Sequence, residues 1–111
     1  MKINEYAKLA KRTAKDMGTE QLNLFHGALG IAGEAGELCD AIQKSEIYNK
    51  PRDVDNIVEE LGDLLWYIIL VADTIKIDLD DIMAANIAKL AVRYPDKYSD
   101  QLAALRLDKS E

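Results

Sequence analysis

Two acidic frames, Glu34-Ala35-Gly36-Glu37 and Glu60-Leu61-Gly62-Asp63, hold the residues of this sequence best equipped for chemistry. In each frame two carboxylates stand three residues apart, so on a helix they share a face. Each frame also adjoins apolar positions, where an unpaired charge is costly to bury. Four carboxylates held in this way call for a neutralising cation. A ligand set made only of oxygen favours Mg2+, with Mn2+ as the alternative.

The elements that must position these acids follow from the apolar spacing. Leu24, Ala28, Ile31, Ala35, Leu38 and Ile42 step by 4-3-4-3-4, and so do Ile57, Leu61, Leu64, Ile68, Val71 and Ile75. Both series are helical stripes with a period near 3.5. Glu34, Glu37, Glu60 and Asp63 each immediately precede a stripe residue. Antiparallel packing of the two stripes therefore predicts that the carboxylates converge on one flank.

Four main helices are predicted. The first covers about residues 4–17 and ends at Gly18. The second covers 20–46 behind Thr19 as N-cap. The third begins near Asp53 or Asp55, past the break at Pro51, and runs to about Lys76. The fourth starts at Asp78, carries Asp80 and Asp81 in its first turn, and stops at Arg93 before Pro95. Residues 102–107 form a short helix or dock as coil. No alternating apolar pattern with hairpin turns marks a strand, so the class is all-α, a helical bundle. The centre of the third helix, Leu64 to Ala72, is apolar all round, which requires burial on every side. One partner helix does not supply that, and the central helices are expected to be buried in an oligomer.

At 111 residues the chain fits a single domain spanning 1–111, with a core at about 5–98 and a tail at 99–111. The net charge of -6 disfavours nucleic-acid binding, which needs a basic surface. The longest apolar run, nine residues, is too short for a membrane span. The N-terminus lacks a secretory pattern, and the single cysteine fits a reducing compartment, so the expected location is cytoplasmic. Cys39 itself is expected to be a small buried hydrophobe.

Several other residues are candidates for ligand contact. Gly30 and Gly33 share the side of Glu34 and Glu37, which suggests a cleft between small residues and carboxylates. Tyr67 stands four residues past Asp63, either as a core aromatic or as a substrate contact. Asn86, Lys89 and Arg93 recur at i, i+3 and i+7 as one polar face, suited either to solvent or to the anionic side of a metal-bound polyphosphate. His26 lies two turns before Glu34, with a structural role or a ligand contact open to it.

At these residues the sequence resembles the MazG-like family of all-α nucleoside triphosphate pyrophosphohydrolases. The family pattern is ExxE, a spacer and ExxD. Here it reads Glu34-x-x-Glu37, twenty-two residues, then Glu60-x-x-Asp63. The segments Gly-Ile-Ala-Gly-Glu-Ala-Gly-Glu-Leu and Glu-Glu-Leu-Gly-Asp-Leu-Leu-Trp-Tyr are also typical, as is Asn86-Ile-Ala-Lys89-Leu with Arg93-Tyr94 following. The resemblance implies cleavage of a nucleoside triphosphate to the monophosphate and pyrophosphate. It implies Mg2+ held by Glu34, Glu37, Glu60 and Asp63 as metal-binding and catalytic residues, and assembly as a homodimer or homotetramer. Lys89 and Arg93, with Asn86, Tyr67 and His26, would then form the substrate side. Two alternatives stand beside this reading: a phosphoribosyl-ATP pyrophosphohydrolase, and a non-catalytic metal-binding helical oligomer.

Overall fold

A computed structural model describes residues 1–109. It contains five helices: α1 (Ile3–Lys11), α2 (Glu20–Glu46), α3 (Val54–Thr74), α4 (Leu79–Arg93) and α5 (Asp100–Leu105). No strand occurs among the described residues, and the all-α class is as expected. Helices α2, α3 and α4 lie where the sequence places them, α1 is shorter than expected, and the tail supplies the short fifth. The chain divides into two compact units, Met1–Ile77 and Asp78–Glu111.

The first unit is organised by α2 and α3. The Thr19 side chain caps α2 by accepting from the Leu22 amide at 3.1 Å, and Asp53 caps α3 through the Asn56 amide at 3.0 Å. Each thereby satisfies one of the donors a helix start leaves open. Between the two helices, Arg52 Nε donates to Glu46 Oε1 at 2.7 Å, and Asn49 turns the chain at φ 58°. Two glycines show how closely the helices approach. A Cβ on Gly27 would lie 2.5 Å from Val71 Cγ2, and one on Gly30 would lie 2.1 Å from the Tyr67 ring. Contacts pairing 27 with 71 and 30 with 67 run in opposite chain directions, so the pair is antiparallel. Gly30 therefore serves helix packing and does not open a cleft. Gly33 and Gly36 do face open space.

Helix α1 lies on α3 with Ile3, Tyr6, Ala7 and Ala10 on its covered side. It stops at Lys11, six residues before the end expected from sequence. Local hydrogen bonds explain the early stop, because polar side chains offer the backbone an alternative to the helix. Thr13 Oγ1 donates to the Ala10 carbonyl at 2.7 Å and accepts from Trp66 Nε1 at 2.8 Å. Asp16 accepts from the Gly18 amide, and Asn23 accepts from that of Met17. The Lys11–Asp73 ion pair, 2.7 Å, also ties this end of α1 to α3.

Full burial is confined to few side chains. Ala10, Ala41, Ile69, Leu70, Ala72 and Leu79 form the buried apolar set. Large apolar side chains remain open on α2 and α3, among them Phe25 at 53%, Leu29 at 70% and Val58 at 60% exposure. Cys39 is exposed, against the expectation of burial. It sits one step past the stripe residue Leu38, about 100° round the helix, beside Ile42 and Gln43.

In the second unit, Ser99 caps α5 through the Leu102 amide at 3.1 Å. Asp78 occupies the N-cap position of α4 without a capping side-chain bond. The turn after α5 passes through Arg106 at φ 49°, and Arg93 and Asp108 form an ion pair.

Candidate metal centre

Antiparallel packing of α2 on α3 sets the ExxE frame of one helix against the ExxD frame of the other. One carboxylate oxygen from each of Glu34, Glu37 and Glu60 falls within a cluster in which all three lie within 4.8 Å of one another. Glu34 is half-buried, Glu37 is exposed and Glu60 is buried. Asp63 is exposed, one turn beyond Glu60, and is not part of that close trio. Its charge nevertheless reaches Glu60.

Electrostatics mark Glu60 as the strained member. Its carboxyl group is pushed up from 4.5 to about 7. Burial is the first cause, a hydrogen bond with Glu34 the second, and the charges of Glu37, Glu34 and Asp63 complete the effect. Glu60 Oε2 is buried with no hydrogen-bond partner. A buried carboxylate oxygen without a donor is costly. A hard divalent cation would satisfy that oxygen and relieve the repulsion together, so the donor set fits the oxygen-ligand chemistry of Mg2+ or Mn2+.

The remaining candidates separate into two groups. Tyr67 and His26 lie on the α2–α3 seam, with their rings edge to face at 5.8 Å. Trp66 meets Tyr67 edge to face at 4.9 Å, and its indole bond to Thr13 links this row to the end of α1. Tyr67 therefore packs over Gly30, and His26 Nδ1 is buried without a partner. Asn86, Lys89 and Arg93 belong to α4 in the second unit. Asn86 and Lys89 are exposed, whereas Arg93 is half-buried and paired with Asp108. Tyr6 was not anticipated from the sequence. Burial and then the Asp63 charge hold its hydroxyl above the ordinary value, so the field of the acids reaches α1. Nothing in the spacing of α1 announces that influence, because it arises from the packing of α1 on α3.

An all-α chain with paired acids facing each other across a helix seam is a recognisable class. The profile of the MazG nucleotide pyrophosphohydrolase domain matches residues 27–98, and the chain belongs to that family. It is similar to the Gene 37 protein of Mycobacterium phage L5, with 27% identity over 101 residues, covering 84% of this chain and 89% of the phage protein. It is also similar to the uncharacterized protein YvdC of Bacillus subtilis (strain 168). That match has 27% identity over 103 residues and covers 85% of this chain and 97% of the relative. No solved structure matches at a significant level. No described helix is long and apolar enough to cross a membrane.

Proposed function

We propose that the protein hydrolyses nucleoside triphosphates, ribo or deoxy, to the monophosphate and pyrophosphate with Mg2+ as cofactor, Mn2+ substituting. The observation that carries this reading is the Glu34–Glu37–Glu60 cluster, with its orphaned buried oxygen, inside a MazG domain. Glu34, Glu37 and Glu60 hold the cation, and Asp63 completes the set from the next turn. When bound, the cation supplies Lewis acidity toward the phosphate oxygens. Water adds across the α–β phosphoanhydride bond, and the two products share its atoms. Lys89 and Arg93 neutralise the polyphosphate charge, with Asn86 as a hydrogen-bonding neighbour. Tyr67 and His26 support the site from the seam.

The same reading includes a homodimer or homotetramer. The exposure of Phe25, Leu29, Val58 and Leu61 supports it, because an uncovered apolar surface on two neighbouring helices is unfavourable in water. The location in this reading is cytoplasmic, and the protein binds neither nucleic acid nor membrane.

The experiment is pyrophosphate release from a panel of nucleotides, including phosphoribosyl-ATP, with Mg2+ and with excess chelator. Glu37→Gln serves as the second arm. The reading expects metal-dependent release from at least one triphosphate, abolished in the variant with the helices intact by circular dichroism. Undiminished turnover in chelator defeats the metal role. Release from phosphoribosyl-ATP alone selects that narrower enzyme, and metal binding without turnover on any substrate selects the non-catalytic oligomer.

A further inference from the structure

Nine residues, two and a half turns, separate Phe25 from Glu34, so the two stand on opposite sides of α2. The side away from α3 carries a second helical stripe: Leu22, Phe25, Leu29, Ala32, Gly36 and Cys39, spaced 3-4-3-4-3. All six are exposed, Leu22 by 48%. A Cβ on Gly36 would meet nothing within 4 Å. The chain thus places a poor helix residue there and leaves the space above it unfilled.

The stripe is graded. Its N-terminal half is large (Leu22, Phe25, Leu29) and its C-terminal half is small (Ala32, Gly36, Cys39). In paired helices of this spacing each stripe residue is a knob that enters a hole of the facing helix. Turning a second copy of α2 about a twofold axis between Gly30 and Ile31 sets Leu22 against the partner's Cys39, Phe25 against the partner's Gly36 and Leu29 against the partner's Ala32. Every layer then joins one large side chain to one small one, and the symmetry repeats each layer. A parallel pairing instead stacks Phe25 on Phe25 and leaves glycine opposite glycine. Two halves of one surface that fit each other are what an isologous contact requires, so the occupant is a second copy of this chain. Charge agrees with this pairing. The positions flanking the stripe hold no lysine or arginine and one carboxylate, Asp40. The antiparallel register brings Asp40 to the start of the partner's α2, the positive end of that helix. Glu20 in the same turn lies about 140° round the helix from the stripe.

We propose that this face of α2 is a homodimer interface, packed antiparallel on the same face of a second copy. The proposal rests on the homo-oligomer of the reading above and supplies its surface and its register. The acidic cluster, on the opposite side of α2, stays outside the contact.

The test uses the full-length protein. In Leu22→Cys the new thiol faces the partner's native Cys39, so oxidised glutathione should close two symmetric disulfides and give a covalent dimer on a non-reducing gel. The parent should give none, because its two Cys39 thiols stand seventeen residues, about 25 Å, apart along the helix pair. Leu22→Cys combined with Cys39→Ser should likewise stay uncoupled. Gly36→Leu probes the same surface with little threat to the fold, since the chain itself places nothing within 4 Å of that Cβ. Sedimentation equilibrium should show its dimer Kd raised about tenfold or more, with helix content unchanged by circular dichroism. Adding Phe25→Ala exchanges knob and hole and should restore the Kd to within about threefold of the parent. A covalent dimer of the parent through Cys39 overturns the antiparallel register. An oligomer with the parent Kd in Gly36→Leu and no covalent product in Leu22→Cys overturns the proposal and leaves the homo-oligomer standing on another face. A parent that is monomeric at micromolar concentration removes both. None of these readouts involves metal or nucleotide, so loss of the hydrolase reading and loss of the interface give different results.

Discussion

Gly30→Ala is a one-carbon perturbation whose effect follows from the seam. The added Cβ would lie 2.1 Å from Cδ1 and Cε1 of Tyr67 and 2.5 Å from Cζ. Carbon atoms rest at about 3.5–4.0 Å, so the ring or the helix must move by about 1.4 Å or more. The ring has little freedom to yield, because His26 and Trp66 pack against it edge to face. Overpacking of this kind costs about 1–3 kcal/mol, while alanine returns about 1 kcal/mol of helix propensity. The net expectation is a loss of up to about 2 kcal/mol, seen as a drop in Tm of roughly 4 °C per kcal/mol. Gly33→Ala is the internal control. Its Cβ meets nothing within 4 Å, so only the propensity gain of up to about 1 kcal/mol remains. Urea unfolding of both variants, at one protein concentration and in chelator, compares them directly. A Gly30→Ala protein as stable as the Gly33→Ala control would refute the close approach of α2 and α3 on which the whole site depends.

Other outcomes are equally specific. Glu60 has its carboxyl raised from 4.5 to about 7, so the folded state binds the proton more tightly than the unfolded chain. This contribution to stability is fully present below pH 4.5 and is lost as pH rises through about 7. Metal-free protein should therefore gain Tm on acidification from pH 7 toward 5, and the Tm increase given by Mg2+ should shrink over the same interval; a Mg2+ effect independent of pH in differential scanning calorimetry would contradict the assignment. Light scattering at micromolar concentration should give a dimer or larger assembly, and a stable 12.4 kDa monomer would refute it. Lys89 is exposed on α4, so Lys89→Ala should leave Tm within about 1 °C while lowering kcat/KM about ten- to a hundredfold. Parent-like kinetics would return Lys89 to the solvated face.

The helices and the acidic cluster were legible because both rest on short-range regularities. Apolar steps of three and four define α2 and α3, and a carboxylate immediately before a stripe residue must flank the seam. Thr19 and Asp53 announce their caps by residue type and place. What the sequence concealed depends on contacts between distant residues. Thr13 stops α1 early by bonding Ala10 and Trp66. Gly30 and Gly33 look alike in the sequence, yet one faces a tyrosine ring and the other open space. Asp63 matches its frame as well as Glu60 does, but it lies outside the closest trio. Arg93 follows the i, i+7 rule of a solvated face, and only the turn at Arg106 brings it a buried partner.

The α2–α3 hairpin also has a kinetic consequence. Its short connection makes the seam a local structure, twenty-six positions separating Glu34 from Glu60, and local contacts form early in folding. The same zipping drives like charges together, so the step that builds the seam is opposed by the groups it gathers. A divalent cation present during folding would remove that opposition, and the refolding rate of the hairpin would then rise with cation concentration. The cation that the proposed reaction requires would also act as a nucleating agent for its own binding site.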